Sequence, residues 1–374
     1  MKKIYDQILY SKKHFCASFP AIVHLSNGQS LVFFRLSRDA SYLLDPNNAA
    51  LDEIHNSIDH LDPRSQIVYL QLDQNQKVVG SEKITGLNIE AADQDPSVIA
   101  LSDQSILLGS FSWYPLNPKW ADALIGEKKR PHIAHKRFLF WGSFYQKSFD
   151  MGQSWTARQS MPPLKDSPDI VLKKKPCAGG PLRGAMLEDD GIVYAASYSQ
   201  FCYNSKKSHQ ANLFVSKDLG NTFEQRSVIA SDEEISFYEP SLYMSPSKTL
   251  FAFMRTSTGK LATAKSRDFG ENFEPFELLQ VEGEPFHVLK LSDCRVFLSY
   301  GARKAPFGVR ARILDAECTN IEKSEEFIIR HDAYCADVGY PWACQLDDGS
   351  IYCVYYFCTK ENKSRHIAAS LLRI

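Results

Sequence analysis

FYEPSLYMSPSKTLFAFMR, residues 237–255, decides the fold. Glu239-Pro240 opens a run of strand-forming residues, the turn SPSK occupies 245–248, and a second run closes at Arg255, sixteen residues after Glu239. Two runs of about seven residues around a turn make a β-hairpin whose first and last residues lie at the same end. Proline is tolerated at the first position because no ladder hydrogen bond is needed there. The same count recurs outward. Phe19-Pro20 leads to Gly28 and Arg35, Asp95-Pro96 to Gln104 and Phe111, and Glu284-Pro285 to Asp293 and Tyr300. Tyr340-Pro341 leads to Gly349 and Tyr356, and Gly180-Pro181, with two extra residues, to Asp190-Gly191 and Tyr198. Further strand-like runs such as RFLFWGSF, KLATAKS and VRARIL lie between the hairpins. Six hairpins with more strands between them predict an all-β fold, a six-bladed β-propeller of four-stranded blades, because radial closure protects the sheet edges. The whole chain, 1–374, reads as one domain, with helical patterning confined to Asn47 to Asp59.

A second repeat lies over the first. SFDMGQSW begins at Ser148, SKDLGNTF at Ser216 and SRDFGENF at Ser266. Each reads Ser-x-Asp-x-Gly-x-polar-aromatic. The carboxylate can accept backbone N–H groups across a tight turn, and glycine supplies a positive φ. Trp155, Phe223 or Phe273 then anchors the turn. This repeat resembles the Asp box of the sialidase superfamily, where it is a structural element of the blade, and the resemblance implies a sialidase-type propeller.

Composition narrows the class. A 374-residue chain that is 44% hydrophobic can bury a large core. A formal charge of −1 supplies no field to attract phosphates, which argues against a nucleic-acid partner. No run of 18 apolar residues is present, so no membrane-spanning helix is expected. MKKIYDQILYSKKHF has lysines but no apolar stretch after them and does not read as a secretory leader. A cytoplasmic location is expected, or an outside one if a leader has been removed. Nine cysteines without a C-x-x-C pair read as buried thiols in a reducing compartment. The histidines do not cluster at ligand spacing, so neither a metal nor a cofactor is expected.

The first and last hairpin positions define a candidate ring: Phe19, Asp95, Gly180, Glu239, Glu284 and Tyr340, then Arg35, Phe111, Tyr198, Arg255, Tyr300 and Tyr356. Such a ring is a polar pocket with aromatic walls, suited to a sugar. The resemblance extends to this ring. Glu239 with Arg255 is similar to the family's blade-four glutamate and arginine, and Gly339-Tyr340 to its blade-six pair. Arg310, in preference to Arg303, stands for its blade-five arginine. The family's activity is glycoside hydrolysis with retention, using a tyrosine nucleophile, a glutamate base and an aspartate acid/base, with three arginines on the sugar carboxylate. Carried over, this implies Tyr340 as nucleophile, Glu239 as base and Asp62 as acid/base, with Asp39 and Asp95 as rivals for the last role. Arg35, Arg255 and Arg310 are the expected anion clamp, and Asp95, His287 and Arg64 are expected to line the substrate site, with His60 beside Asp62. The chain departs from the family at Ser18, which stands where the first arginine belongs, and Arg35 is the candidate replacement. The expected partner is a glycan carrying a terminal anionic sugar. A propeller polysaccharide lyase and a non-catalytic carbohydrate-binding propeller are the alternatives.

Overall fold

The computed structural model describes residues 1–39, 62–117, 119–120, 133–134, 138–164, 171–172, 175–176, 179–200 and 208–374. The helical expectation at Asn47 to Asp59 lies outside them, as does His60. The chain divides into two compact units, residues 1–87 with 281–374, and residues 88–280. Each carries three antiparallel sheets of the predicted kind.

In the first unit, sheet one runs Phe15–His24, Ser30–Arg38, Gln66–Leu72, Val78–Ile84. Sheet five runs Phe286–Lys290, Val296–Ala302, Gly308–Leu314, Phe327–Arg330. Sheet six runs Gly339–Gln345, Ile351–Phe357, His366–Arg373, and takes its fourth strand, Lys2–Tyr10, from the other end of the chain. In the second unit, sheet two is built on Ser97–Ala100, Ile106–Pro115 and Phe138–Ser148, with short strands at Ala92–Asp93 and Gln159–Ser160. Sheet three runs Leu187–Asp189, Ile192–Gln200, His209–Ser216, Glu224–Ala230, and sheet four Phe237–Met244, Leu250–Thr256, Lys260–Ser266, Glu277–Glu282. The second strands are buried on both faces, as their unbroken apolar runs require. Ile351–Phe357 is buried at every residue. Sheets five and six share a core that includes Phe297, Val309, Ile351, Tyr355 and Phe357. Sheets three and four share one around Leu213, Leu250 and Met254.

The hairpin repeat forms with one modification. At three of its opening positions a β-bulge interrupts the ladder, between Ser18 and Ala21, Tyr238 and Ser241, and Gly339 and Trp342. The residue before proline there has a left-handed backbone: Phe19 at φ 54°, Glu239 at 51° and Tyr340 at 49°. Gly180 holds the equivalent place at φ 61°. Ser18, Tyr238 and Gly339 therefore face Arg35, Arg255 and Tyr356 in the ladder, one residue earlier than a regular hairpin gives. A one-residue slip turns a side chain to the other face. The left-handed conformation costs a side-chain-bearing residue about 1–3 kcal/mol, and such strain gathers at functional positions.

The Asp boxes follow the third strands of sheets two, three and four, at the end of each sheet opposite its hairpin opening. Asp150 accepts from the Ser154 amide at 2.8 Å and the Ser148 hydroxyl at 2.8 Å; Asp268 accepts from the Asn272 amide at 2.9 Å and the Ser266 hydroxyl at 2.7 Å. Gly270 is at φ +85°, and a Cβ there would lie 2.3 Å from Leu213, so glycine is required by both backbone and space. Phe223 anchors its turn edge-on to Tyr145 at 5.0 Å. In the first unit the same position is held by aspartates without the motif. Asp73 accepts from the amides of Asn75 and Lys77, and Asp315 from those of Glu317 and Thr319.

The Asp-box carboxylates also set an acid limit. Hydrogen bonds from the Ser154 side chain and then its amide hold Asp150 at about 2, and those from the Asn272 amide and then its side chain hold Asp268 at about 2. A carboxyl lowered in the folded state stabilises it fully above the unfolded value of about 3.9, and loses that contribution as pH falls through the folded value. The stability difference between the wild type and the Asp150→Asn, Asp268→Asn double variant is therefore expected to shrink from pH 4 to pH 2. Thermal melts at each pH check it, and a pH-independent difference would contradict it.

Candidate active site

The first unit gathers its functional side chains where sheets one, five and six open their hairpins. Gly339 makes this possible. It sits at φ +101°, and a Cβ there would lie 2.8 Å from the Gly301 Cα, so glycines at both positions let sheet five approach sheet six. Arg303, just past the second strand of sheet five, then stands over the Tyr340 ring at 5.5 Å. Tyr340 also meets two aromatic rings, Phe19 edge-on at 4.6 Å and Tyr356 at 5.8 Å. Arg35, only 1% exposed, lies over the Phe19 ring at 4.5 Å. Phe19 thus contacts both Arg35 and Tyr340, and its bulge brings the two together.

Beneath this cluster runs a buried polar chain. The Tyr356 hydroxyl donates to Asp337 Oδ1 at 2.7 Å, and Arg303 Nη2 donates to the Tyr356 oxygen at 3.4 Å. Asp337 also pairs with Arg303 at 3.8 Å and Arg365 at 3.4 Å. Burial, and next the Asp337 charge, push Tyr356 well above the usual phenol range, so it stays neutral and acts as a donor. Arg35 stands over Phe19 and Arg303 over Tyr340, and Arg303 and Arg365 share the Asp337 carboxylate. Such a concentration of guanidinium groups favours a bound anion.

The second unit holds the other expected elements. Glu239, 4% exposed, accepts from Arg255 Nη1 at 3.4 Å, and Arg255 lies over Tyr238 at 5.5 Å. Tyr238 meets His209 at 5.1 Å and Tyr198 at 5.5 Å, giving a partly exposed aromatic group beside the ion pair. Asp95 is buried between two short strands of sheet two. Its neighbour Asp93, fully buried, takes a two-pronged contact from Arg158 at 2.7 and 2.8 Å and bonds from Ser112 and Asn88.

Other expected site residues have partners of their own, Arg310 among them. It lies on the third strand of sheet five, and its guanidinium donates to the carbonyls of Pro306, Val309 and Arg330 and pairs with Glu326. Those bonds close the bulge at Val309/Arg310, while Arg303 occupies the place beside Tyr340. Asp62 accepts the Arg38 amide at 2.6 Å on one oxygen and the Arg64 amide at 3.0 Å on the other, so it pins the chain that enters the third strand of sheet one. Arg64 is exposed and takes part through its backbone. His287 is buried beside Trp342, ring centres 4.6 Å apart and planes tilted by 37°, where sheets five and six pack. Asp39, next to the undescribed residues, bonds through its amide to the His14 carbonyl. Sequence reasoning missed Asp337 and Arg365 because neither occupies a repeat position; Asp337 lies two residues before Gly339, and Arg365 just before a third strand. Among the described residues no group of three His, Cys, Asp or Glu is placed to hold a metal ion.

The six sheets, five of them four-stranded, and this arginine-rich site describe a sialidase-type six-bladed β-propeller. Similar solved structures carry the same fold. A protein of unknown function from Dyadobacter fermentans is 31% identical over 100% of this chain and 99% of its own, with a TM-score of 0.89. The NanB sialidase from Streptococcus pneumoniae is 13% identical, with a TM-score of 0.66 over 98% of this chain and 70% of its own. The intramolecular trans-sialidase from Ruminococcus gnavus is 13% identical, with a TM-score of 0.59 over 96% and 94%. No curated protein matches the sequence. The chain belongs to the BNR repeat-like domain family, which matches residues 133–353.

Proposed function

We propose that this protein is a glycoside hydrolase that removes a terminal anionic sugar, of the sialic or uronic acid kind, with Tyr340 as nucleophile. The observation that carries the reading is Tyr340 itself. It is a strained, buried tyrosine at a bulge, with the Arg303 guanidinium over its ring and Arg35 reached through Phe19. A neutral phenol approaches an anionic sugar that a carboxylate nucleophile would repel, and adjacent cations favour the phenolate as it forms. Ser18, fully buried where the sialidase family has an arginine, supports a substrate whose acid group is gripped differently from sialic acid.

A panel of aryl glycosides, with a sialoside and uronides included, tests the reading: release of the aryl alcohol from an anionic member is expected. An ultraviolet-absorbing unsaturated product would indicate a lyase, and binding without turnover a carbohydrate-binding propeller. On the substrate found, Glu239→Gln is expected to lower turnover at least a hundredfold, the range lost with a general base. Arg303→Ala is expected to weaken binding of the anionic sugar tenfold to a hundredfold, since a charged hydrogen bond contributes about 1.5–3 kcal/mol. Arg310→Ala is expected to lower the melting temperature and to leave that binding within about twofold. Calorimetric titration of both variants checks the contrast, and equal losses would contradict it.

A further inference from the structure

We propose that Cys335 and Cys358 form a reversible redox site, which a hydroperoxide oxidises to a disulfide and which thereby controls Arg365. The two Sγ atoms are 3.7 Å apart, and a disulfide needs about 2.0 Å. The Tyr334 amide donates to the Cys358 carbonyl at 3.0 Å, so the segment carrying Cys335 already runs beside the end of the second strand of sheet six. Cys335 lies in the irregular chain between Arg330 and Gly339, which can take up the movement. Arg365 Nη2 donates to Cys335 Sγ at 3.2 Å and to Asp337 Oδ2 at 3.4 Å.

These contacts set the chemistry. The hydrogen bond from the Cys358 thiol, with the Arg365 charge behind it, holds Cys335 below the ordinary thiol range against the opposing effect of burial. The same hydrogen bond, with burial, raises Cys358. The pair therefore ionises first at Cys335, and a thiolate beside a cation is the reactive form of cysteine. Burial raises Cys344 to about 12 and Cys16 to about 11, which leaves those thiols inert at neutral pH. In the reaction the Cys335 thiolate attacks one peroxide oxygen, the O–O bond breaks, and a sulfenic acid forms as hydroxide leaves and takes up a proton. Cys358 then attacks the sulfenic sulfur, the S–S bond forms, and water departs with the Cys358 proton. Two thiols lose two hydrogens, and the peroxide becomes two waters.

The consequence for activity rests on the functional reading of Tyr340. Oxidation removes the thiolate that shares Arg365 with Asp337. Arg365 then draws more strongly on Asp337, at the expense of Asp337's contacts with Arg303 and the Tyr356 hydroxyl.

The test uses the full chain, reduced, desalted and treated with hydrogen peroxide. Of the nine thiols, two are expected to disappear with a mass loss of two hydrogens. Peptide mapping should place one dithiothreitol-reversible cross-link between Cys335 and Cys358. In Cys358→Ser, dimedone should trap a sulfenic acid at Cys335, with Cys358→Ala as the alternative variant if that one misfolds. A cross-link elsewhere, label spread over other cysteines, or nine thiols surviving would overturn the site. The ratio of oxidised to reduced turnover should be at most a tenth in the wild type and near one in Cys335→Ser; a cross-linked protein with unaltered turnover overturns the control of Arg365. The mass measurement is independent of turnover, so failure of the glycosidase reading is distinguishable from failure of the redox site.

Discussion

Tyr340→Phe is expected to leave the protein folded and to lower its turnover of a cleavable anionic glycoside by about a thousandfold or more, the scale of loss when a nucleophile is removed. The substitution deletes one oxygen. The ring keeps its contacts with Phe19, Tyr356 and the Arg303 guanidinium, and the left-handed backbone at Tyr340 is unchanged. Binding of the anionic sugar should therefore survive within a few-fold, because the cations that attract it are untouched. Single-turnover kinetics and calorimetric titration on the same preparation separate the two quantities. A variant that turns over near the wild-type rate eliminates tyrosine as the nucleophile. One that loses binding and turnover together assigns Tyr340 to the sugar-binding surface instead.

Asp337→Ala is expected to be the most destabilising single change at the site. It removes the acceptor of the Tyr356 hydroxyl, which is fully buried, and the carboxylate partner of Arg365, which is 4% exposed. Breaking a buried ion pair from one side costs about 3–5 kcal/mol, because the remaining charge stays where water cannot reach it. Denaturant unfolding of wild type and variant measures the loss. Asp337→Asn separates charge from hydrogen bonding: its side-chain oxygen can still accept from Tyr356, but it carries no charge for Arg303 and Arg365. Its stability is expected between the other two. A loss below about 1 kcal/mol in the alanine variant would show that water or neighbouring groups replace the carboxylate.

The hairpins were legible because each is a local object. A proline, a turn nine residues on and a second strand form one contiguous stretch, and local patterning decides whether it pairs with itself. The same holds for the Asp boxes, in which carboxylate, hydroxyl and amide lie within one short stretch, Ser148 to Ser154 in the first of them. The bulges were not legible. Counting from Glu239 to Arg255 assumed a regular ladder, and the left-handed turn at the residue before proline moves the pairing to Tyr238. The different settings of Arg303 and Arg310 were not legible for a related reason. Both follow the second strand of sheet five, but one leaves the sheet toward Tyr340, and the other returns on the third strand into a nest of carbonyls.

By itself, then, the sequence determined the six hairpins, the turns that cap three third strands, and the residue types at the hairpin openings, Tyr340, Glu239, Arg35 and Arg255 among them. Each follows from spacing within one segment. Tertiary structure alone decided which side chains stand around Tyr340. Phe19 and Arg35 come from sheet one, Arg303 from sheet five, Asp337 from just before the first strand of sheet six and Arg365 from just before its third, and residues that meet there are separated by up to several hundred positions. No periodicity within one segment encodes such a meeting, because it depends on how closely sheets approach, and here that distance is set by two glycines, Gly301 and Gly339.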